Sequence, residues 1–223
     1  MQPTRHHPGA QRYPFPGESS TANADPCTQG YFDTTNSKGM IPTCPGVFRM
    51  TNADVKSLLE LQEKNLLTDT TDKSRGFLSA KFSEEDFNKM NISPSGVYVK
   101  KNLSGQIIGY LVVSADEEHN KRTPIIKTMM EQLPPEIDPA KCFVYGPVCI
   151  DMQYRGLNIL QELVVAARKD QLNNPKTLVL FVSNLNKASL TAHHKLGAKK
   201  VGGFEFKNGS FDILVFAPMR SKL

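Results

Sequence analysis

Two stretches in the second half of the chain carry residue types that can do chemistry. In the first, the apolar run Val148-Cys149-Ile150 leads through Asp151 to Arg155-Gly156-Leu157-Asn158-Ile159-Leu160 and on into helical periodicity. Gly and Asn are the residue types that most readily take positive φ. A strand that turns into a helix through Gly156 and Asn158 leaves main-chain N–H groups pointing outward at the helix start, where the helix dipole favours an anion. Arg155 adds positive charge, and a pyrophosphate is the natural guest. The G-x-x-x-x-G-K-[ST] spacing of a P-loop and the G-x-G-x-x-G dinucleotide fingerprint are both missing. An ordinary strand-to-helix turn has the same composition, so this stretch alone decides nothing.

The second stretch is Asn186-Lys-Ala-Ser-Leu-Thr-Ala-His-His-Lys-Leu-Gly197, after the apolar run Leu178 to Val182. Asn186 can cap a helix or bind a polar group of a ligand. His193 lies seven residues on, two turns along the same face. An imidazole titrates near neutrality and can give or take a proton there. Adjacent helical residues point about 100° apart, so His193 and His194 make no metal pair. The four cysteines, Cys27, Cys44, Cys142 and Cys149, show neither C-x-x-C nor zinc spacing, and no metal is expected. Cys149 reads as a small core residue.

Both stretches need a strand end beside a helix start, and the pattern provides this. Cys142 to Ile150 reads as a strand, bulged or unpaired at Gly146-Pro147 because proline cannot donate to a ladder. Leu157 to about Leu172 reads as a helix ended by Asn173-Asn-Pro175, Leu178 to Val182 as a strand, and Asn186 to Leu196 as a helix stopped at Gly197. Lys199 to Lys207 and Phe211 to Ala217 read as strands joined through Asn208-Gly209. Upstream, a short strand at Val47 to Met50 precedes a helix opened by Thr51-Asn-Ala-Asp54 and a second opened by Ser83-Glu-Glu-Asp86. Strands Gly96 to Lys101 and Gln106 to Ala115 flank the turn Asn102 to Gly105, and a helix-prone insert follows from Asp116 to Glu136. Strand–helix–strand units favour parallel pairing and hairpins are antiparallel, so the fold class is α/β, a mixed sheet flanked by helices. The two strand ends should then meet at one crevice, where open α/β sheets bind ligands.

The chain has 223 residues, enough for one domain plus a tail. Residues 1–45 hold seven prolines and no periodic apolar pattern, so they are expected to form a flexible tail, with the domain spanning 46–223. The formal charge is +5, from 27 Lys+Arg against 22 Asp+Glu. That excess suits nucleic acid, an anionic membrane or a phosphorylated ligand. A nucleic-acid module calls for clustered Lys/Arg with aromatics, which the sequence lacks. No stretch approaches the roughly 18 apolar residues of a membrane span. The first 30 residues show no secretory pattern, so a cytoplasmic location with reduced thiols is expected. Ser221-Lys222-Leu223 matches a peroxisomal address, which in a eukaryote implies an import receptor and the peroxisomal matrix.

Taken together, Arg155-Gly-Leu-Asn-Ile-Leu160 and the series Asn186, Ser189, Ala192, His193, Lys195, Leu196, Gly197 resemble the two motifs of the GNAT (Gcn5-related N-acetyltransferase) superfamily. Those motifs are an R-G-x-G-x-G/A loop and N-x-x-[AS]-x-x-L-[YH]-x-K-L-G-F. The resemblance spans about residues 46 to 218, strand order included. It implies splayed parallel strands in the central sheet and acetyl-coenzyme A as co-substrate. Val148, Cys149 and Ile150 would lie along the pantetheine. Arg155, Gly156, Leu157, Asn158, Ile159 and Asn186 would complete the cofactor site. The implied reaction is direct acetyl transfer to a primary amine, a small molecule rather than a protein. His193, in place of the family's usual Tyr, would reprotonate the thiolate, and Tyr145 or a held water would serve as base. The loop's second glycine is Asn158, its third small position is Leu160, and the closing Phe is Ala198. These departures keep a non-catalytic coenzyme A-binding domain as the alternative. Acceptor contacts are expected from residues 66–82 and from the 116–140 insert, and the oligomeric state, a homodimer included, is left open.

Overall fold

The computed structural model describes residues 43, 46–68, 72–92, 95–170 and 176–218. Most of the 1–45 tail, the 173–175 helix stop and Ser221 to Leu223 lie outside the described residues. Among the described residues seven strands form one sheet. β1 (Phe48–Arg49) pairs antiparallel with β2 (Gly96–Lys101), β2 with β3 (Ile107–Ser114), and β3 with β4 (Cys142–Ile150). β4 runs parallel to β5 (Thr177–Ser183). β6 (Lys199–Phe206) and β7 (Gly209–Phe216) complete the spatial order β1-β2-β3-β4-β5-β7-β6.

Helices cover both faces. α1 (Val55–Asn65) and α2 (Glu84–Met90) pack on β2, β3 and β4 through Leu58, Leu61 and Phe87. α2 starts at a reciprocal cap, Ser83 N and Oγ donating to the Asp86 carboxylate and Asp86 N to Ser83 Oγ, while Thr51 N and Oγ donate to the Asp54 carboxylate and cap the 3-10 turn Asn52–Asp54 that runs into α1. α3 (Glu117–Arg122) and α4 (Pro124–Glu131) form the insert. α4 opens on a proline at N1, where its missing N–H costs nothing. Its fully buried Met129, with Ile125 and Ile126, closes the core over β4, β5, β6 and β7. The insert thus completes the core on that face. On the opposite face lie α5 (Ile159–Asp170) and α6 (Lys187–Lys195), packed over a core containing Leu163, Val164, Leu178, Leu180 and Leu190. No described helix is long and apolar enough to cross a membrane.

The β6–β7 turn differs from expectation by one residue. Phe206 pairs with Gly209, so Lys207 and Asn208 are the turn, and Lys207 carries the positive φ of 51°. Gly209 is a strand residue needed for space: a Cβ there would stand 2.9 Å from the Phe211 ring.

Candidate active site

The site begins where two strands part. β4 and β5 are paired only at Cys142–Thr177, Phe143–Leu178 and Val144–Val179. Beyond Val144, β5 continues to pair with β7 and β4 with β3, and a gap opens between them. The cause lies in β4: Tyr145 pairs with Val113 and Val148 with Leu111, so Gly146 and Pro147 together face one β3 residue, Val112. That bulge bends the strand and accommodates a residue without an N–H.

Past the bulge, main-chain direction follows from alternation. Asp151 N donates to Ile108 O, so the Asp151 main chain faces β3, and that of Cys149 must as well. Val148 and Ile150 therefore turn their N–H and C=O groups into the gap. Ile150 O accepts from Arg155 Nε there at 3.0 Å. The Cys149 side chain faces α1, with Sγ 4.0 Å from Leu61 O, and burial pushes its thiol pKa up to about 12. It is a protonated core thiol, and no nucleophile.

β4 ends in a 3-10 turn, Met152–Tyr154, whose Asp151 cap accepts from Gln153 N. After Arg155 in extended backbone (φ −68°, ψ 145°), Gly156 (φ 83°) and Asn158 (φ 60°) take left-handed φ before α5 starts. Two left-handed residues one position apart, laid against a helix N-terminus, make this turn a candidate anion nest. A Cβ at Gly156 would meet nothing within 4 Å, so the space over the nest is open. Ile159 anchors the first turn of α5 against β3, where a Cβ on Gly109 would come within 2.9 Å of it. Leu157 packs at the edge of the same core. Glu162, also in that first turn, points away from the nest to Lys100 Nζ at 2.5 Å, a nearly buried ammonium that balances its charge.

α6 holds the other lip. Asn186 caps it, its Oδ1 accepting from Ser189 N at 3.1 Å. His193 is 1% exposed. Its Nδ1 lies 2.7 Å from Ser189 O, and a carbonyl can only accept, so Nδ1 carries the hydrogen. Nε2 is then the acceptor for the Tyr145 hydroxyl at 3.2 Å. The two rings meet edge to face, 5.5 Å between centroids. Burial pushes the His193 pKa down and the Tyr145 pKa up, so both side chains are neutral in this pair.

Arg155 and Asn186 do something their position did not announce. Arg155 donates through one terminal nitrogen to the carbonyls of Arg75 and Gly76, and through the other to Asn65 Oδ1 at 2.8 Å. Asn186 Nδ2 donates to Phe77 O at 3.0 Å. Residues 72–78, a strap after α1, thus run across the mouth of the gap from one lip to the other. The bonds span 79, 80, 90 and 109 positions in sequence. No local pattern records contacts at that range.

Nest, β4 edge, strap and α6 enclose a cavity of about 740 Å³. Arg75, Arg155, Lys187 and Lys195 contribute to its lining, and among the described residues no carboxylate does. Cys149 and His193 line it too, whereas Tyr145 stands behind His193. Among the described residues no group of three or more His, Cys, Asp or Glu is placed to hold a metal.

No protein-family model matches the sequence, and no curated protein matches it in sequence. Solved structures do match in shape. A GNAT superfamily phosphinothricin acetyltransferase from Sinorhizobium meliloti, solved with acetyl-coenzyme A, superposes with a TM-score of 0.55 at 16% identity, over 77% of this chain and 87% of that one. This chain has the GNAT fold. A putative acetyltransferase from Salmonella typhimurium with its cofactor acetyl-coenzyme A gives 0.54 at 12% identity, covering 79% and 95%. The ribosomal-protein-S18-alanine N-acetyltransferase of Escherichia coli gives 0.53 at 10% identity, covering 79% and 96%. The GNAT fold therefore survives here at identities of 10–16% to these three proteins.

Proposed function

We propose that the chain is an acetyl-coenzyme A-dependent N-acetyltransferase acting on a primary amine, a small molecule rather than a protein. The observation that carries this reading is the bare β4 edge: Val148 and Ile150 turn main-chain groups into a gap that opens onto an anion nest. The residues fit the co-substrate. Open space lies over Gly156, and left-handed Asn158 does the work of the family's glycine. The lining charge is positive. The nest and the first turn of α5 would hold the pyrophosphate, and Val148 would bond the pantetheine amides. The co-substrate would supply the acetyl group as a thioester, activated toward amines.

The remaining work belongs to the chain. Ile150 N–H can donate to a carbonyl oxygen as negative charge grows on it. The N–C bond forms as the C–S bond breaks. The amine gives up one proton and the leaving sulfur takes one, so the site must pass a proton and not store it. In the resting pair, His193 Nε2 accepts from Tyr145 and has no hydrogen to give. Its neutral state suits taking a proton when the Tyr145 hydroxyl swings away. Giving one requires prior charging of the ring, which burial opposes.

Calorimetric titration with acetyl-coenzyme A, with dephospho-coenzyme A as control, tests the reading, followed by thiol release across a panel of amines. Micromolar binding with amine-dependent thiol release is expected, and absence of binding sinks it. The engaged His193 also favours a second reading, a coenzyme A-binding module without turnover, which predicts binding with no thiol release from any amine.

A further inference from the structure

Arg155 and Asn186 stand where the resemblance places cofactor contacts, yet neither side chain is turned to the nest. Arg155 spends Nε and both terminal nitrogens on Ile150 O, Arg75 O, Gly76 O and Asn65 Oδ1. All four acceptors are neutral oxygens. The flat guanidinium fork is what reaches them at once. The Asn186 amide spends its oxygen on the α6 cap and one N–H on Phe77 O. Three consecutive carbonyls, of Arg75, Gly76 and Phe77, are therefore held by two side chains, one from each lip of the gap. Gly76 (φ 84°) lets the strap come close. A Cβ there would lie 3.4 Å from Asn186 Oδ1 and 3.5 Å from both Ala188 Cβ and the Arg155 guanidinium. The strap is fastened at its base as well, by Leu78 N to Asn65 O and Leu67 N to Leu78 O, both 2.8 Å. Gln62 trades two hydrogen bonds with Phe82 just beyond it.

We propose that Arg155 and Asn186 are positioning residues that hold the 72–78 strap across the crevice and make no direct contact of their own with the cofactor phosphates. Where it concerns the cofactor, this inference rests on the transferase reading above. The strap supplies Ser74, Arg75, Gly76, Phe77 and Leu78 to the cavity wall. These two side chains thereby decide what the second substrate meets at the mouth.

The test crosses two readouts in the full-length protein: coenzyme A affinity by calorimetry, and amide hydrogen exchange at Leu67 and Leu78 without ligand. Arg155→Lys keeps the charge and loses the fork. Asn186→Ser keeps a helix cap and cannot reach Phe77 O. In both variants the two amides should exchange at least tenfold faster, while the coenzyme A Kd stays within about threefold of the parent. Gly156→Val is the reciprocal control, with affinity lost and strap exchange unchanged. Unchanged exchange at Leu67 and Leu78 in both variants overturns the proposal, as does a tenfold loss of affinity without faster exchange. Should the parent protein bind no coenzyme A, the transferase reading falls, and the exchange measurement still decides the strap by itself.

Discussion

His193 and Tyr145 are an acid–base pair held neutral. The direction of the His193 shift fixes a stability dependence. Its folded pKa lies below the ordinary value near 6.5, so on acidification the unfolded chain binds this proton first. Stability should therefore fall as pH drops below about 6.5, toward the lower folded pKa. His193→Gln should flatten that part of a melting-temperature profile, and an unchanged profile would mean the ring charges freely when folded. Tyr145→Phe leaves Nε2 buried without a donor. It should cost about 1–3 kcal/mol by chemical denaturation, the usual penalty for an orphaned buried acceptor. At the nest, Gly156→Val places a β-branched residue at positive φ, a strain of about 1–3 kcal/mol. It should fold less stably and lose coenzyme A binding in the same titration that tests the parent. The residues of the nest were legible from type alone, because only a few residue types tolerate such dihedrals. The bonds of Arg155 and Asn186 to α1 and the strap were not, since those partners lie 79 to 109 positions away in sequence.

At the scale of elements, legibility followed local grammar. The α6 boundaries were readable from Asn186 as cap and Gly197 (φ 88°) as stop. The β4 bulge was readable from Pro147. The β6–β7 turn was misplaced by a residue because Asn208-Gly209 is a turn signal in isolation, while sheet register put Gly209 on the strand beside Phe211. The packing of the insert was not legible, for a different reason. A helix-prone segment rich in charge looks solvated, but α4 gathers Ile125, Ile126, Met129 and Met130 against the sheet. Met129→Ala should accordingly cost about 2–5 kcal/mol in a denaturant titration, as for other fully buried large-to-small changes. A cost under about 0.5 kcal/mol would return the insert to the surface. Gly109→Ala tests how α5 is seated. Its Cβ would press on Ile159 at 2.9 Å, shifting the first turn of α5, and coenzyme A affinity should fall along with stability.

Over the whole molecule the charge excess is small, yet Arg75, Arg155, Lys187 and Lys195 gather at one cavity. Coenzyme A affinity should weaken as ionic strength rises, since exposed charges act over only about 10 Å at 0.1 M salt. Affinity independent of salt would place the phosphates elsewhere. The parted strands have a mechanical side. β1 to β4 form one plate and β5, β7 and β6 another, joined at three residue pairs. Rotation about that short hinge breaks no rung inside either plate and changes the width of the crevice directly, against the core that packs across both plates. Arg155 follows one plate and holds the Arg75 and Gly76 carbonyls, and Asn186 follows the other and holds that of Phe77. Held from both sides in this way, the strap is a tie-bar across the hinge.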